Sequence, residues 1–128
     1  MRANIETPVF YLDNARMLLS QKAEKEEGYY QSKKYVRKAG HIAYMGVLTA
    51  IDSQMPTKKK GRLSVEDYRT FLAGFNRKLL TQFNDLYELL HLSMAYDGIL
   101  NAKVIQIAIQ SAEEFIEKCK SEVLSNKD

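Results

Sequence analysis

Hydrophobic residues recur along most of the chain at spacings of three and four, which is the pattern of amphipathic helices. In the first such segment, Thr7 is placed to cap a helix and Pro8 to occupy its first turn, where a missing N–H costs little. The apolar pattern then gives way to glutamates, which oppose the dipole at a helix C-terminus, so we expect that end of the helix to fray. Gly28 is the predicted end of the helix. The apolar positions of this helix are Leu12, Ala15, Leu18 and Leu19.

The second segment predicts a helix from about Tyr30 to Met55, because Pro56 disfavours helix at the residue before it. Small residues dominate its apolar stripe, which consists of Val36, Ala39, Ala43, Val47, Ala50 and Ile51. Gly40 and Gly46 lie beside that stripe, and each glycine inside a helix costs about 1 kcal/mol relative to alanine. We expect the close approach of another helix to offset that cost, so this helix is predicted to lie at the centre of the core.

A third apolar run keeps one helical phase over almost thirty residues. Its members are Tyr68, Leu72, Phe75, Leu79, Phe83, Leu86, Leu90 and Met94. Ser64 and Asp67 have the spacing of a capping box at its start. One continuous helix of about 33 residues would be about 50 Å long, which is long for a compact chain of 128 residues. We therefore predict a break or kink near Gly74, which gives a short helix followed by a long one.

The last helix is predicted to follow the turn signal Asp97-Gly98, with Asn101 as its cap. Its apolar face comprises Val104, Ile105, Ala108, Ala112, Phe115, Ile116, Cys119 and Val123. Together the four periodic segments predict an all-α fold, an antiparallel four-helix bundle with one additional short helix.

Length and composition predict one domain with its core over residues 8–124. Hydrophobic residues make up 45% and charged residues 27%, which excludes a wholly disordered chain. The one cysteine excludes an intramolecular disulfide and a cysteine-rich zinc site. We see no signal-peptide pattern and no apolar stretch of bilayer-spanning length, so we expect a cytoplasmic protein without membrane association.

Acid–base chemistry near neutral pH would use a histidine, and the chain has two, His41 and His91. A hydrolase built on either histidine would need a neighbouring tyrosine or aspartate, for which the candidates are Tyr87, Tyr96 and Asp97. No catalytic or metal-binding motif accompanies them, and a histidine at the edge of a core is more often structural. We therefore predict no catalytic residue, no metal and no cofactor.

Two basic clusters make nucleic acid a candidate ligand, although the net charge is only +3. One cluster occupies a predicted solvated loop over residues 56–63. The other lies at the start of the second helix, near tyrosines that could stack on bases, and consists of Lys33, Lys34, Arg37 and Lys38. Both clusters have an ordinary alternative as solvated surfaces, and the sequence does not show whether they share a face. The residues predicted to contact nucleic acid are Lys58, Lys59, Lys60, Arg62 and Arg37.

Three stretches resemble HEPN (higher eukaryote and prokaryote nucleotide-binding) domains, namely YLDNARMLLS, YVRKAGHIAYMGVLTAID and AIQSAEEFIEKC. The chain also resembles a small uncharacterised bacterial family near HEPN, over residues 8–123. The resemblance implies a four- or five-helix bundle, often dimeric, and some HEPN proteins are ribonucleases.

The ribonuclease motif of HEPN proteins places an arginine shortly before a histidine. With His91 as that histidine, the positions for the arginine hold Asn84, Asp85 and Leu86. Arg37 does precede His41, but the spacing is too short and the pair falls in the wrong helix. Without the arginine, a cation that stabilises a phosphoryl-transfer transition state is missing, so the activity is not carried over.

We therefore predict a bacterial, non-catalytic interaction module that self-associates, with a dimer favoured and another protein as a further partner. An exposed apolar patch would support this hypothesis. The first alternative is an RNA- or nucleotide-binding domain that uses the basic loop, with an affinity that falls steeply with salt. The second is a cryptic hydrolase or ribonuclease using His91, which needs a pocket that joins a histidine, a carboxylate and a cation.

Overall fold

The structure is a computed structural model that describes residues 6–56 and 62–125, with side chains over 7–56 and 62–121. Two short strands, β1 (Lys25–Glu26) and β2 (Tyr29–Tyr30), form an antiparallel hairpin. The helices are α1 (Glu6–Gln21), α2 (Lys33–Asp52), α3 (Val65–Phe75), α4 (Arg77–Leu86), a π-helix (Tyr87–Tyr96) that continues α4, and α5 (Ala102–Ser125). The predicted helical class is confirmed, whereas the four-helix bundle arrangement stays a prediction. None of the described helices combines the length and apolar character needed to cross a membrane.

Side-chain caps fix several helix boundaries. The Ser64 hydroxyl accepts a hydrogen bond from the Asp67 N–H at 3.1 Å, and the Asp67 carboxylate accepts from the Ser64 N–H at 2.7 Å, which completes the predicted capping box. Asn101 Oδ1 accepts from the Val104 N–H at 3.0 Å, as predicted for the start of α5. At the start of the chain, α1 begins at Glu6, one residue before the predicted cap Thr7.

The segment between α1 and α2 differs from the predicted frayed helix end. The hairpin occupies residues 25–30, and Lys25 pairs with Tyr30 across it. Glu27 and Gly28, the two residues of its turn, both have positive φ angles, of 50° and 86°, as a tight two-residue hairpin turn requires. Carboxylates at a helix C-terminus oppose the helix dipole, so leaving the helix before this acidic stretch removes that conflict.

The break in the third apolar run lies at Asn76, two residues beyond the predicted position at Gly74. The Asn76 N–H donates to the Leu72 carbonyl at 2.9 Å, which ends α3. The Asn76 side chain then accepts from the Leu79 N–H at 3.1 Å, which starts α4. One asparagine in extended conformation therefore ends one helix and caps the next, while Gly74 stays inside α3.

The core contains nearly all the positions that the apolar spacing predicted, including the whole small-residue stripe of α2. Three predicted positions differ, and the first is Leu18 in α1, which is only partly buried. Phe75 is only partly buried at the end of α3, and Val104 is 36% exposed. Because Ile105 is completely buried, the inner face of α5 passes through that residue and leaves Val104 at the boundary. The side chain of Val123 lies outside the described residues.

Gly40 and Gly46 let α2 contact two other helices at close range, as predicted. A Cβ atom at Gly40 would lie 2.5 Å from Met94 Cβ and 2.8 Å from the Ala95 nitrogen of the π-helix. A Cβ atom at Gly46 would lie 3.0 Å from Tyr11 Cβ in α1. Larger residues would force these backbones apart, so α2 owes its central place to the two glycines.

We expect Gly40→Ala to lower the free energy of unfolding by about 1–3 kcal/mol, because the π-helix backbone must move to admit the methyl group. Gly74→Ala is the matched control, since no atom lies within 4 Å of its added Cβ. That control should raise stability by about 0.5–1 kcal/mol, because alanine loses less conformational freedom in a helix than glycine. Urea denaturation measures both variants, and equal effects would contradict the close contact.

Candidate functional site

A groove between the first half of α2 and the end of the π-helix gathers several of the charged and aromatic side chains that the sequence singled out. Its volume is about 360 Å³, within the range of ligand sites. The residues that line it are Lys34, Arg37, Lys38, His41, His91, Ala95 and Tyr96. None of these described lining residues is an aspartate or glutamate, so the groove is electropositive.

Helix α2 supplies one wall of the groove because residues three, four and seven apart align along a helix. Lys34, Arg37, Lys38 and His41 follow this spacing, and all four are exposed. The Lys34 ammonium also lies 5.3 Å from the centroid of the Tyr35 ring, a cation–π contact that orients it. Like charges at these spacings repel one another, so a bound anion would stabilise this face.

The turn after the π-helix accommodates the basic side chains. Gly98 has a φ of +66°, in the left-handed region that favours glycine. A Cβ atom there would lie 2.5 Å from Lys33 Cγ and 3.1 Å from Arg37 Nε. Glycine therefore meets two requirements at once, the backbone conformation of the turn and the close passage of two long basic side chains.

The second wall comes from the π-helix, which carries His91, Ala95 and Tyr96. Helices of this type are rare, are mostly single-turn bulges and occur often at functional sites. This one extends over ten residues, and at its end the Asp97 N–H donates five residues back, to the Leu92 carbonyl at 2.8 Å. The unusual backbone therefore coincides with the electropositive groove.

Two tyrosine rings hold the His91 ring at the base of the groove. Its centroid lies 4.8 Å from that of Tyr44 and 5.1 Å from that of Tyr87. The Nδ1 atom of His91 is buried and has no hydrogen-bond partner among the described residues. A buried polar atom without a partner costs about 1–3 kcal/mol, and such a cost needs an explanation in function or in an added ligand.

The phenol of Tyr44 remains protonated at neutral pH. Burial raises the pKa of Tyr44 to about 12; Tyr87 adds to the rise, and Arg69 opposes it. The Arg69 guanidinium lies 5.0 Å from the centroid of the Tyr87 ring and donates at 2.7 Å to Glu66. The Arg69 guanidinium is therefore already engaged by Tyr87 and Glu66.

The structure brings together four of the residues that the sequence proposed for different roles. Arg37, from the nucleic-acid set, meets His41, His91 and Tyr96, from the polar set, in one groove. Spacing along α2 could have added Lys34 and Lys38 to the predicted ligands, because both share a helix face with Arg37 and His41. Tyr44 was missed, although it lies one helical turn beyond His41.

Other predicted site residues lie elsewhere. Tyr87 stacks on His91 but does not line the groove, and Asp97 is exposed and does not line it either. Arg62 is exposed and lies outside the groove. The remaining predicted ligands fall in residues 57–61, outside the described part of the chain, and they are Lys58, Lys59 and Lys60. The groove therefore does not combine either histidine with Asp97.

Residues 3–121 match a family described as a domain of unknown function, DUF5618, so the chain belongs to that family. A protein of unknown function from Dyadobacter fermentans has a similar solved structure, with 42% sequence identity and a TM-score of 0.88. The match covers 94% of this chain and 98% of that one. A comparison with curated proteins finds no match. These comparisons support the fold and leave the function to be inferred from the site.

We expect the free energy of unfolding to fall as the pH rises above about 10. Tyr44 keeps its proton to about pH 12 when folded but only to its ordinary pKa of 10.0 when unfolded, so the folded chain binds more protons in between. Tyr44→Phe removes this contribution and should flatten the pH dependence, measured by urea denaturation. A smaller slope should remain, because burial and the adjacent Asp52 also raise the pKa of Tyr68.

The control for this experiment is Tyr96→Phe, because the Tyr96 side chain is 74% exposed. It should leave the alkaline slope as in the wild-type protein. The interpretation is contradicted if both substitutions change the slope equally.

Proposed function

We propose that this member of the DUF5618 family binds single-stranded RNA, without cleaving it, in the groove between α2 and the π-helix. The observation that carries the proposal is the convergence of three cations and two imidazoles, with no carboxylate among the lining residues that the structure describes. Lysine and arginine side chains bind nucleic acids through the phosphate backbone, by releasing condensed counterions. The groove therefore provides the charge that such a ligand requires.

Tyr96 favours a strand with exposed bases over a simple inorganic anion. Its side chain is 74% exposed and lines the groove beside the cations. Single-stranded nucleic acids combine phosphate contacts with the stacking of bases on aromatic rings, and each stacked base contributes about 1–3 kcal/mol. The three sequence stretches that resemble HEPN domains support the same class of ligand.

A non-catalytic function is preferred because the groove does not offer the set of groups that the hydrolase hypothesis needs. A general base must reach the reacting proton within hydrogen-bond distance. Asp97 does not line the groove, and the buried Nδ1 of His91 faces no described partner that would orient the ring as a base. In the proposal, His41 and the basic side chains contact phosphates, and the rings of Tyr44 and Tyr87 hold His91 in position at the base of the groove.

We expect the double substitution Arg37→Gln with Lys38→Gln to weaken RNA binding and to reduce its salt dependence. Each lost phosphate contact should lower the slope of log affinity against log salt by about 0.7 for a single strand. Fluorescence anisotropy of a labelled mixed-sequence RNA, at several salt concentrations, measures both effects. The same samples, run on a gel, should show intact RNA.

The matched control is Lys118→Gln with Lys120→Gln, which removes the same charge from exposed positions of α5. This control should keep the wild-type slope. An equal change in both double variants would mean that net charge alone attracts RNA, and a wild-type affinity without salt dependence would also contradict the proposal, as would cleavage.

Self-association is the second candidate function, and exposed apolar side chains on α1 favour it. Phe10 is 62% exposed and Met17 is 49% exposed. These residues are seven positions apart, about two helical turns, so they share one face of α1. Large apolar side chains that are exposed together on a helix face are typical of interaction surfaces. This face would serve the predicted homodimer, or a protein partner, independently of the basic groove.

We expect Phe10→Ser to shift the protein toward monomer in sedimentation velocity, because the substitution removes the largest exposed apolar group of α1. Ile107→Ser is the control, since Ile107 is 56% exposed but lies on α5. A wild-type protein that stays monomeric at high concentration would remove this candidate. So would an equal response of the two variants.

A further inference from the structure

A second cavity, of about 250 Å³, lies between α1, the hairpin and α5. None of the described residues lines both this cavity and the basic groove. Its floor consists of four buried aliphatic side chains, Leu19, Ala102, Ile105 and Ile109. Its rim is polar and consists of Arg16, Ser20, Lys25, Tyr30, Gln106 and Gln110.

Each of the polar side chains on the rim can donate a hydrogen bond, and no aspartate or glutamate is among the described residues that line the cavity. Arg16 already has a partner, because it donates to the Glu113 carboxylate at 2.7 Å. Lys25 makes no ion pair with any residue that the structure describes. Among the described residues that line the cavity, the cation without an ion pair is therefore Lys25.

The hairpin fixes two of the donors relative to each other. Lys25 and Tyr30 are directly paired across the two strands, which places their side chains on the same face. The backbone of Tyr30 is anchored to the segment just before α5, because its N–H donates to the Leu100 carbonyl at 2.9 Å. Burial raises the pKa of Tyr30, so its hydroxyl stays a donor.

We propose that this cavity binds a small organic carboxylate, with the carboxylate at Lys25 and Tyr30 and the apolar body on the aliphatic floor. An inorganic anion would gain nothing from the aliphatic floor, and a hydrocarbon would leave the Lys25 ammonium without a counter-ion. An apolar surface with a few convergent polar groups is the usual composition of a small-molecule site.

Hexanoate is the probe, titrated into the ¹⁵N-labelled chain of residues 1–128, with hexanamide as its uncharged analogue. Hexanoate should cause saturable shifts of the amide signals of Tyr30, Gln106 and Gln110. Because the ion pair lies at a solvent-accessible rim, hexanamide should bind about fivefold more weakly. Lys25→Gln should abolish this preference while leaving the affinity for hexanamide unchanged.

Lys22→Gln is the matched control, because Lys22 is exposed and does not line the cavity. It should keep the fivefold preference for hexanoate. The proposal is overturned if hexanoate causes no saturable shift, if the shifts are confined to the basic groove, or if Lys25→Gln keeps the preference. Circular dichroism shows that each variant is folded, so loss of binding reports on the site.

Discussion

The contact between Gly40 of α2 and residues Met94 and Ala95 of the π-helix is the constraint on which the rest of the structure depends. Only a residue without a side chain permits this approach, since a Cβ atom would lie 2.5 Å from Met94 Cβ. The contact buries Met94 completely and places His41, one residue after Gly40, beside the wall that carries His91. The same contact therefore packs the core and brings the two walls of the groove together.

The two faces of helix α2 differ in character. Its inner face is a stripe of small buried residues, whereas its outer face holds a row of like charges that repel one another. The His91 ring, which packs between Tyr44 and Tyr87, adds a second cost in free energy, because its buried Nδ1 atom has no described hydrogen-bond partner. Both costs are concentrated at one groove, and binding of an anionic ligand would offset the repulsion among the like charges.

Local rules were sufficient where the physical cause was local. Residues four apart fix the buried stripe of α2, and the Ser64–Asp67 spacing fixes the start of α3. The π-helix was not predictable, because Leu86, Leu90 and Met94 have the spacing of an ordinary α-helix. The groove was not predictable as a unit either, since its two walls are distant in sequence and meet through tertiary contacts such as those of Gly40 and Tyr44. Asp97 was grouped with the histidines by its closeness in sequence, but it does not line the groove.

The most direct test of the central claim is a two-dimensional NMR titration of the wild-type protein with a short oligouridylate. If the two walls form one binding site, amide signals of residues 34–41 and 91–96 should shift together and saturate at the same RNA concentration. Shifts confined to one wall, shifts centred on another surface, or no shifts at low salt would contradict the account.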